Sequence, residues 1–101
     1  MMGKEAVRRA TDPDRLLPGE DPGSRNHEDA QHWVAVYEEL HRFKLDLIGQ
    51  TRSRMAAMNP AARGEVEDVA LAIMEEQSDR LDRRLQFWKT RLDELAPSRT
   101  R

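Results

Sequence analysis

Four arginines in the last third of the chain carry its strongest potential for binding chemistry. Residues 80–91 hold five positive charges against one negative, with two aromatic residues among them. Guanidinium groups bind carboxylates and phosphates through paired hydrogen bonds, and aromatic rings can stack on bases. The favoured interpretation is that the polar residues of this stretch fix the register of packed helices, and the functional alternative is a site for an acidic partner or a phosphate. The residues concerned are Arg80, Arg83, Arg84, Phe87, Trp88 and Arg91.

A second group of candidate contact residues lies in the first half of the chain. Lys44 interrupts an apolar stripe at helical spacing, and its aromatic neighbours on that stripe are Trp33, Tyr37 and Phe43. If the chain reverses midway, Lys44 lies opposite residues 75–77, which are two glutamates and a glutamine. A polar residue at such a position commonly sets register and oligomeric state. Together with the stretch above, these residues form the predicted partner-binding surface.

Catalytic and metal-binding signatures are weak. Glu38-x-x-His41 has the spacing of the ferritin-like di-metal motif, but Glu38 falls on the polar face and no second copy follows. The three histidines do not share a helix face at the spacing of a zinc site. There is no phosphate-binding glycine loop and no triad-like arrangement. The sequence predicts no catalytic residue, no metal and no cofactor, and a ferritin-like metal protein is the least favoured alternative.

Composition narrows the class of protein further. The chain has 101 residues, enough for one small domain, and its net charge of -2 argues against a general binder of polyanions. Cysteine is absent, which excludes disulfides and thiolate metal sites. No apolar run approaches the length of a membrane span, and the N-terminus shows no signal-peptide core. We therefore expect a cytoplasmic protein without membrane contact, and nucleic acid is not an expected partner.

Residues 1–26 differ in composition from the rest of the chain. They hold three of the five prolines and three of the five glycines, and they show no helical or strand period. A flexible N-terminal arm is therefore predicted. Arg15-Leu16-Leu17-Pro18 contains the one apolar pair that could dock on the helices, although a solvated tail is the favoured interpretation.

Two long stretches with a 3.6-residue apolar period follow the arm, and Asn59-Pro60 separates them. Asparagine suits the N-cap position and proline the first helical position, so this pair starts a second helix. The fold class is therefore all-α. The predicted domain is a hairpin over 27–95, with helix 1 at about 27–57, helix 2 at about 60–95 and a C-terminal tail at 96–101.

The apolar stripe of the first helix is wider than a two-helix seam can cover. Small domains without disulfides or metals often bury such surface by oligomerising. We expect a long antiparallel hairpin that dimerises into a four-helix bundle, with itself and a second protein as partners. The predicted function is a small non-enzymatic adaptor or regulator that acts through helical surfaces. The alternative is an anti-sigma-like, nucleotide- or nucleic-acid-responsive regulator that uses the arginine-rich stretch.

The nucleotide-responsive alternative can be compared with one family of the same architecture. Actinobacterial anti-sigma factors that bind cyclic di-GMP are antiparallel helical hairpins with a repeated Glu-x3-Ser-x2-Arg-x3-Gln-x3-Asp pattern. The nearest alignments here keep only Glu39 with Gln50, and Glu75 with Gln86. Two matches in five support no resemblance, and no ligand residue is carried over.

Overall fold

The computed structural model describes residues 15–96 and contains two long helices. Helix α1 runs over His27–Ala57 and helix α2 over Pro60–Leu95, and for residues 60–63 and 65–67 only the backbone is described. The helices pack against each other as an antiparallel pair, and no strand occurs within the described residues. The prediction of an all-α helical hairpin is confirmed.

Helix α1 begins at His27 because Asn26 caps it. The side-chain oxygen of Asn26 accepts hydrogen bonds from the backbone N–H groups of Glu28 and Asp29, at 2.8 and 3.1 Å. The Ser24 hydroxyl donates to the Asp29 carboxylate at 2.7 Å and accepts from the Asn26 N–H at 3.2 Å. The acidic residues of the first turn also complement the positive end of the helix dipole.

The chain reverses between Ala57 and Pro60. Met58 has extended backbone angles, φ -87° and ψ 149°, and ends α1. Pro60 lacks an N–H and therefore suits the first position of α2. The apolar period predicts one continuous second helix, but Gly64 interrupts α2 with φ 66° and ψ 170°, angles that residues with a Cβ rarely adopt. The regular part of the helix consequently begins after Gly64, and the acidic residues within 65–68 lie in its first turn.

The core lies at the end of the hairpin where α1 begins and α2 finishes. Aromatic side chains remove large apolar areas from water, and Tyr37 and Trp88 are the largest side chains that are fully buried. Toward the turn, Ile48, Thr51 and Met55 of α1 are buried, whereas none of the described side chains of residues 64–77 of α2 is buried. The buried hydrophobic residues are Ala30, Tyr37, Ile48, Met55, Leu81, Leu85 and Trp88.

The register between the helices is close to the predicted one. Lys44 Nζ donates to the side-chain oxygen of Gln77 at 3.0 Å, within the window that the sequence placed opposite it. Glu75 forms its ion pair with Arg52 near the surface, and Lys44 donates to Gln77. Burial, and second the positive charge of Arg80, lower the pKa of Lys44. Lys44 is thus a seam residue held by a neutral amide instead of a glutamate.

Residues 15–26, called the arm segment below, pack against the helices. Leu17 contacts the core, while Leu16 is 41% exposed. The side chain of Glu20 is completely buried. The sequence predicted a flexible arm and favoured a solvated tail, but in the structure this half of the arm forms part of the packed domain because its acidic side chain enters the helix pair. Residues 1–14 and 97–101 lie outside the described part of the chain.

Candidate functional site

A buried polar cluster surrounds the carboxylate of Glu20. One carboxylate oxygen, Oε1, accepts hydrogen bonds from the Tyr37 hydroxyl at 2.5 Å and from the Leu17 N–H at 2.9 Å. The other, Oε2, accepts from the Arg84 guanidinium and the Trp88 indole N–H, both at 2.7 Å. Hydrogen bonds to an ionised group are shorter and stronger than those between neutral groups. All four donors therefore stabilise the charged form of the carboxylate.

Three of these donors belong to the helix pair. Arg84 and Trp88 are four residues apart on α2, so they share one face of that helix. Tyr37 lies opposite them on α1 and is fully buried. The antiparallel packing brings the three side chains to one point, and they are called the carboxylate site below. The positions of these donors are fixed by the hairpin, since α1 and α2 carry them.

Glu20 reaches the carboxylate site at the end of a tight turn. The Glu20 N–H donates to the Leu17 carbonyl oxygen at 3.0 Å, across Pro18 and Gly19. Gly19 has φ 83°, and a proline followed by a glycine with positive φ is typical of a type II turn. The Leu17 N–H returns a hydrogen bond to the Glu20 side chain. The turn therefore presents the carboxylate as a compact unit, with Leu17 packed beside it.

Two further arginines of α2 hold the arm segment by its backbone. Arg80 donates to the carbonyl oxygen of Arg15 at 3.2 Å, and Arg91 donates to that of Ser24 at 2.7 Å. These contacts lie near the two ends of the arm segment, on either side of the carboxylate site. The predicted arginine stretch thus contacts the chain's own N-terminal arm.

The buried cluster contains more positive than negative charge. Arg84 forms an ion pair with Glu20, and its side chain is only 14% exposed. Arg80 is also buried, and within the described residues it has no ion-pair partner. The Nε atoms of Arg80 and Arg84 are both buried without a hydrogen bond. Two guanidinium groups therefore face one carboxylate, which leaves donors unsatisfied at a cost to stability.

The hydrogen bonds shift the pKa values of both partners in the shortest contact. Burial alone would raise the pKa of Glu20, but hydrogen bonds from Tyr37, Arg84, the Leu17 backbone and Trp88 outweigh it and lower the pKa from 4.5. Burial, and then the hydrogen bond and charge of Glu20, raise the pKa of Tyr37 to about 12. The site consequently keeps an ionised Glu20 and a neutral Tyr37 across a wide range of pH.

Aromatic rings pack beside two of the arginines and against each other. The Cζ atom of Arg84 lies 4.6 Å from the centroid of the Phe87 ring, and that of Arg91 lies 5.4 Å from it. Trp33 stacks on Trp88 with ring centroids 6.4 Å apart and an angle of 26° between planes. Cation–π contacts and stacking of this kind hold the side chains in fixed orientations.

The predicted partner-binding residues fall into two groups. Phe43, Lys44 and Arg83 lie away from the carboxylate site: Phe43 is 60% exposed, Arg83 is exposed and Lys44 lies in the seam. The remaining seven are brought together around the carboxylate site and the core. They are Trp33, Tyr37, Arg80, Arg84, Phe87, Trp88 and Arg91.

Sequence reasoning missed Glu20. Two signals pointed to it: Leu17-Pro18-Gly19-Glu20 has the residue types of a type II turn, and residues 80–91 themselves hold a single acidic residue. Only the three-dimensional packing shows that these two features meet.

A second surface lies along the side of α1. Four apolar residues, Val36, Leu40, Phe43 and Leu47, are spaced four, three and four residues apart, which is the spacing of a heptad seam. They are called the α1 stripe below. Three of them are half-buried and Phe43 is exposed. On α2, Val69 is 57% exposed. The helix pair therefore leaves part of its apolar surface uncovered.

Other kinds of site find little support in the described chain. Among the described side chains, those of residues 15–59, 64 and 68–96, there is no group of three or more His, Asp or Glu arranged to hold a metal ion. No helix of that part is long and apolar enough to cross a membrane. Comparison with protein-family models, with curated proteins and with solved structures found no match to this chain.

Proposed function

We propose that this chain is a small non-enzymatic adaptor or regulatory protein that acts through its helical surfaces, and that two hairpins associate into a four-helix bundle. The observation that carries the proposal is the α1 stripe. Its heptad spacing is the pattern by which helices recognise other helices, and Phe43 at its centre is 60% exposed. A large exposed aromatic residue on such a stripe is typical of an interaction surface.

The arginine stretch supports the same proposal. Arg80, Arg84 and Arg91 are directed at the arm segment, where they bind a carboxylate and two backbone carbonyls. Of the four arginines singled out by sequence, Arg83 alone is exposed. A surface that engages a peptide segment in this way favours protein recognition over nucleic-acid recognition, which uses exposed cations along a phosphate backbone.

The mass of the protein in solution tests the proposal. Light scattering at micromolar concentration should give about twice the 11.7 kDa mass of the chain. The variant Phe43→Glu should lower that mass toward the monomer, because it places a charge in the middle of the apolar seam. Its far-ultraviolet circular dichroism should stay helical at high protein concentration.

Ser53→Glu is the matched control for the added charge. Ser53 is also exposed on α1 but lies outside the α1 stripe, so the change should leave the mass unaltered. A wild-type chain that is monomeric and cooperatively folded would contradict the four-helix bundle. Equal effects of the two variants would show that net charge, and not the stripe, controls assembly.

A titration with nucleic acid separates the two functions that the sequence left open. We expect no sub-micromolar binding of DNA or RNA at low salt. Binding that weakens steeply with salt and is abolished by Arg83→Ala would instead support the nucleic-acid-responsive alternative.

A further inference from the structure

We infer that the carboxylate site is a receptor for an acidic segment of a partner protein, and that Glu20 occupies it from within the chain. The inference rests on the proposed function, since it names the partner class of a protein-binding module. Tyr37, Arg84 and Trp88 supply three donors to one carboxylate, and none of them belongs to the arm segment. The hairpin therefore carries a built site for a carboxylate, whichever chain provides it.

The arm segment shows what a ligand of this site looks like. It offers a carboxylate at the end of a proline–glycine turn and an apolar residue three positions earlier, Leu17, which packs on the core. The turn orients both groups toward the helices. A partner segment with an acidic residue and an apolar residue at the same spacing would make the same contacts.

The charge balance favours a ligand more acidic than the arm segment. Arg80 is buried beside the site, where it donates to the carbonyl oxygen of Arg15 and interacts with the Tyr37 hydroxyl, without an ion pair among the described residues. The Nε atoms of Arg80 and Arg84 have no acceptor. The second acid of the arm segment, Asp21, is exposed and accepts from the Gly23 N–H instead. A segment with its second acidic group near the position of the Arg15 carbonyl would bring an anion close to Arg80. Such a segment would compete successfully with the arm.

Residues 15–23 of the arm segment can leave without removing the cap of α1. The cap of α1 is made by Asn26 and Ser24 with the first turn of the helix, and Glu20 takes no part in it. Release of Glu20 would thus expose the carboxylate site while both helices persist. In this arrangement the arm segment acts as an internal competitor for the partner.

The test uses the full chain and a synthetic, end-blocked peptide with the sequence of residues 15–26. The peptide is titrated into wild-type protein and into Glu20→Gln, with tryptophan fluorescence or calorimetry as the readout. The apparent affinity for the peptide is proportional to the fraction of molecules in which the arm segment has left the site. Glu20→Gln should raise that fraction, so the peptide should bind this variant about tenfold or more tightly than wild type. A second peptide carrying Glu20→Gln should lose this binding.

Gly19→Ala provides a variant that keeps every donor of the site. Gly19 has φ 83° and open space around it, so an alanine strains the turn without a clash against the helices. This variant should also bind the wild-type peptide more tightly than the wild-type protein does. Adding Arg84→Ala to it should abolish the gain.

Three outcomes would overturn the inference. Helical Gly19→Ala protein that does not bind the peptide would show that the hairpin is no receptor. Equal binding of the two peptides would show that the carboxylate is not recognised. A dimer that is lost in Glu20→Gln, without peptide binding, would assign the site to the arm of a second copy. A dimer that depends on Phe43 and not on Glu20 would leave the proposed function standing even where the peptide fails.

Discussion

The two ends of the hairpin treat charged side chains in opposite ways. At the arm-covered end, where α1 begins and α2 finishes, the carboxylate of Glu20 is fully buried against Arg84. At the turn end, Glu75 pairs with Arg52, but the two side chains are 42% and 60% exposed. One ion pair is enclosed by three segments of chain and the other faces solvent. The contribution of an acidic residue to the free energy of unfolding therefore depends on whether a third segment covers the helix pair.

The same contrast explains the uncovered apolar surface. Two antiparallel helices bury only a narrow seam on each member, so a wider apolar face needs an additional layer. The arm segment supplies this layer over the core around Trp88. At the turn end Ile48 and Met55 of α1 are buried, but no described side chain of residues 64–77 of α2 is, and Val69 is exposed. The difference between the ends shows that the arm segment covers only one of them.

The largest expected effect is that of Glu20→Ala. Removal of one partner from a buried ion pair leaves an uncompensated charge, so the free energy of unfolding should fall by about 3–5 kcal/mol. Glu75→Ala is the matched change at the turn end and should cost about 0–1 kcal/mol, because its ion pair is exposed. Urea unfolding followed by circular dichroism measures both. Equal losses would remove the distinction between the two ends.

Tyr37→Phe should have an intermediate effect. It deletes a hydroxyl that donates to the buried carboxylate of Glu20, and hydrogen bonds to charged groups contribute about 1.5–3 kcal/mol. The loss should shrink in a Glu20→Gln background, where the acceptor is neutral. A double-mutant cycle measures this coupling. A coupling energy of zero would show that the hydroxyl and the carboxylate do not meet in solution.

The free energy of unfolding should decline at both extremes of pH, because the hydrogen bond between Tyr37 and Glu20 joins two groups that titrate there. The pKa of Glu20 is lowered in the folded state, so its contribution is present above 4.5 and is lost as the pH falls through the folded-state pKa. The pKa of Tyr37 is raised to about 12, so its contribution is present below 10 and is lost between 10 and about 12.

Unfolding free energies measured across these ranges test the assignment. Glu20→Gln should reduce the loss of unfolding free energy at acid pH, and Tyr37→Phe should reduce the loss at alkaline pH. If the free energy of unfolding depends on pH in the variants as it does in the wild type, other groups cause the pH dependence.

The smallest expected effect concerns two glycines nearer the turn. Gly49 lies exposed within α1 with open space around it, so Gly49→Ala should stabilise the protein by about 0.5–1 kcal/mol. Gly64 has φ 66° and ψ 170°, so Gly64→Ala should change stability in the opposite direction. Thermal unfolding of the two variants compares them. Stabilisation by Gly64→Ala would show that α2 runs through this position as a regular helix.

The hairpin was predictable from local patterns, whereas the carboxylate site was not. Apolar periodicity and the residues Asn26 and Asn59-Pro60 act within a few positions of each other, so the sequence displays them directly. The contact between Glu20 and Arg84 joins residues 64 positions apart. Nothing in their spacing along the chain indicates it. The break at Gly64 was missed for a different reason, since a single glycine within a helical pattern does not reveal the backbone angles it adopts.

Hydrogen–deuterium exchange of the wild-type chain tests the central difference between the two ends most directly. The amides of Leu17 and Glu20 are hydrogen-bonded within the arm segment, so they should be protected together with the α2 amides around Trp88. Amides of residues 64–77 should exchange faster than those around Trp88. Exchange of Leu17 and Glu20 at the rate of an unstructured peptide, with both helices protected, would contradict the account.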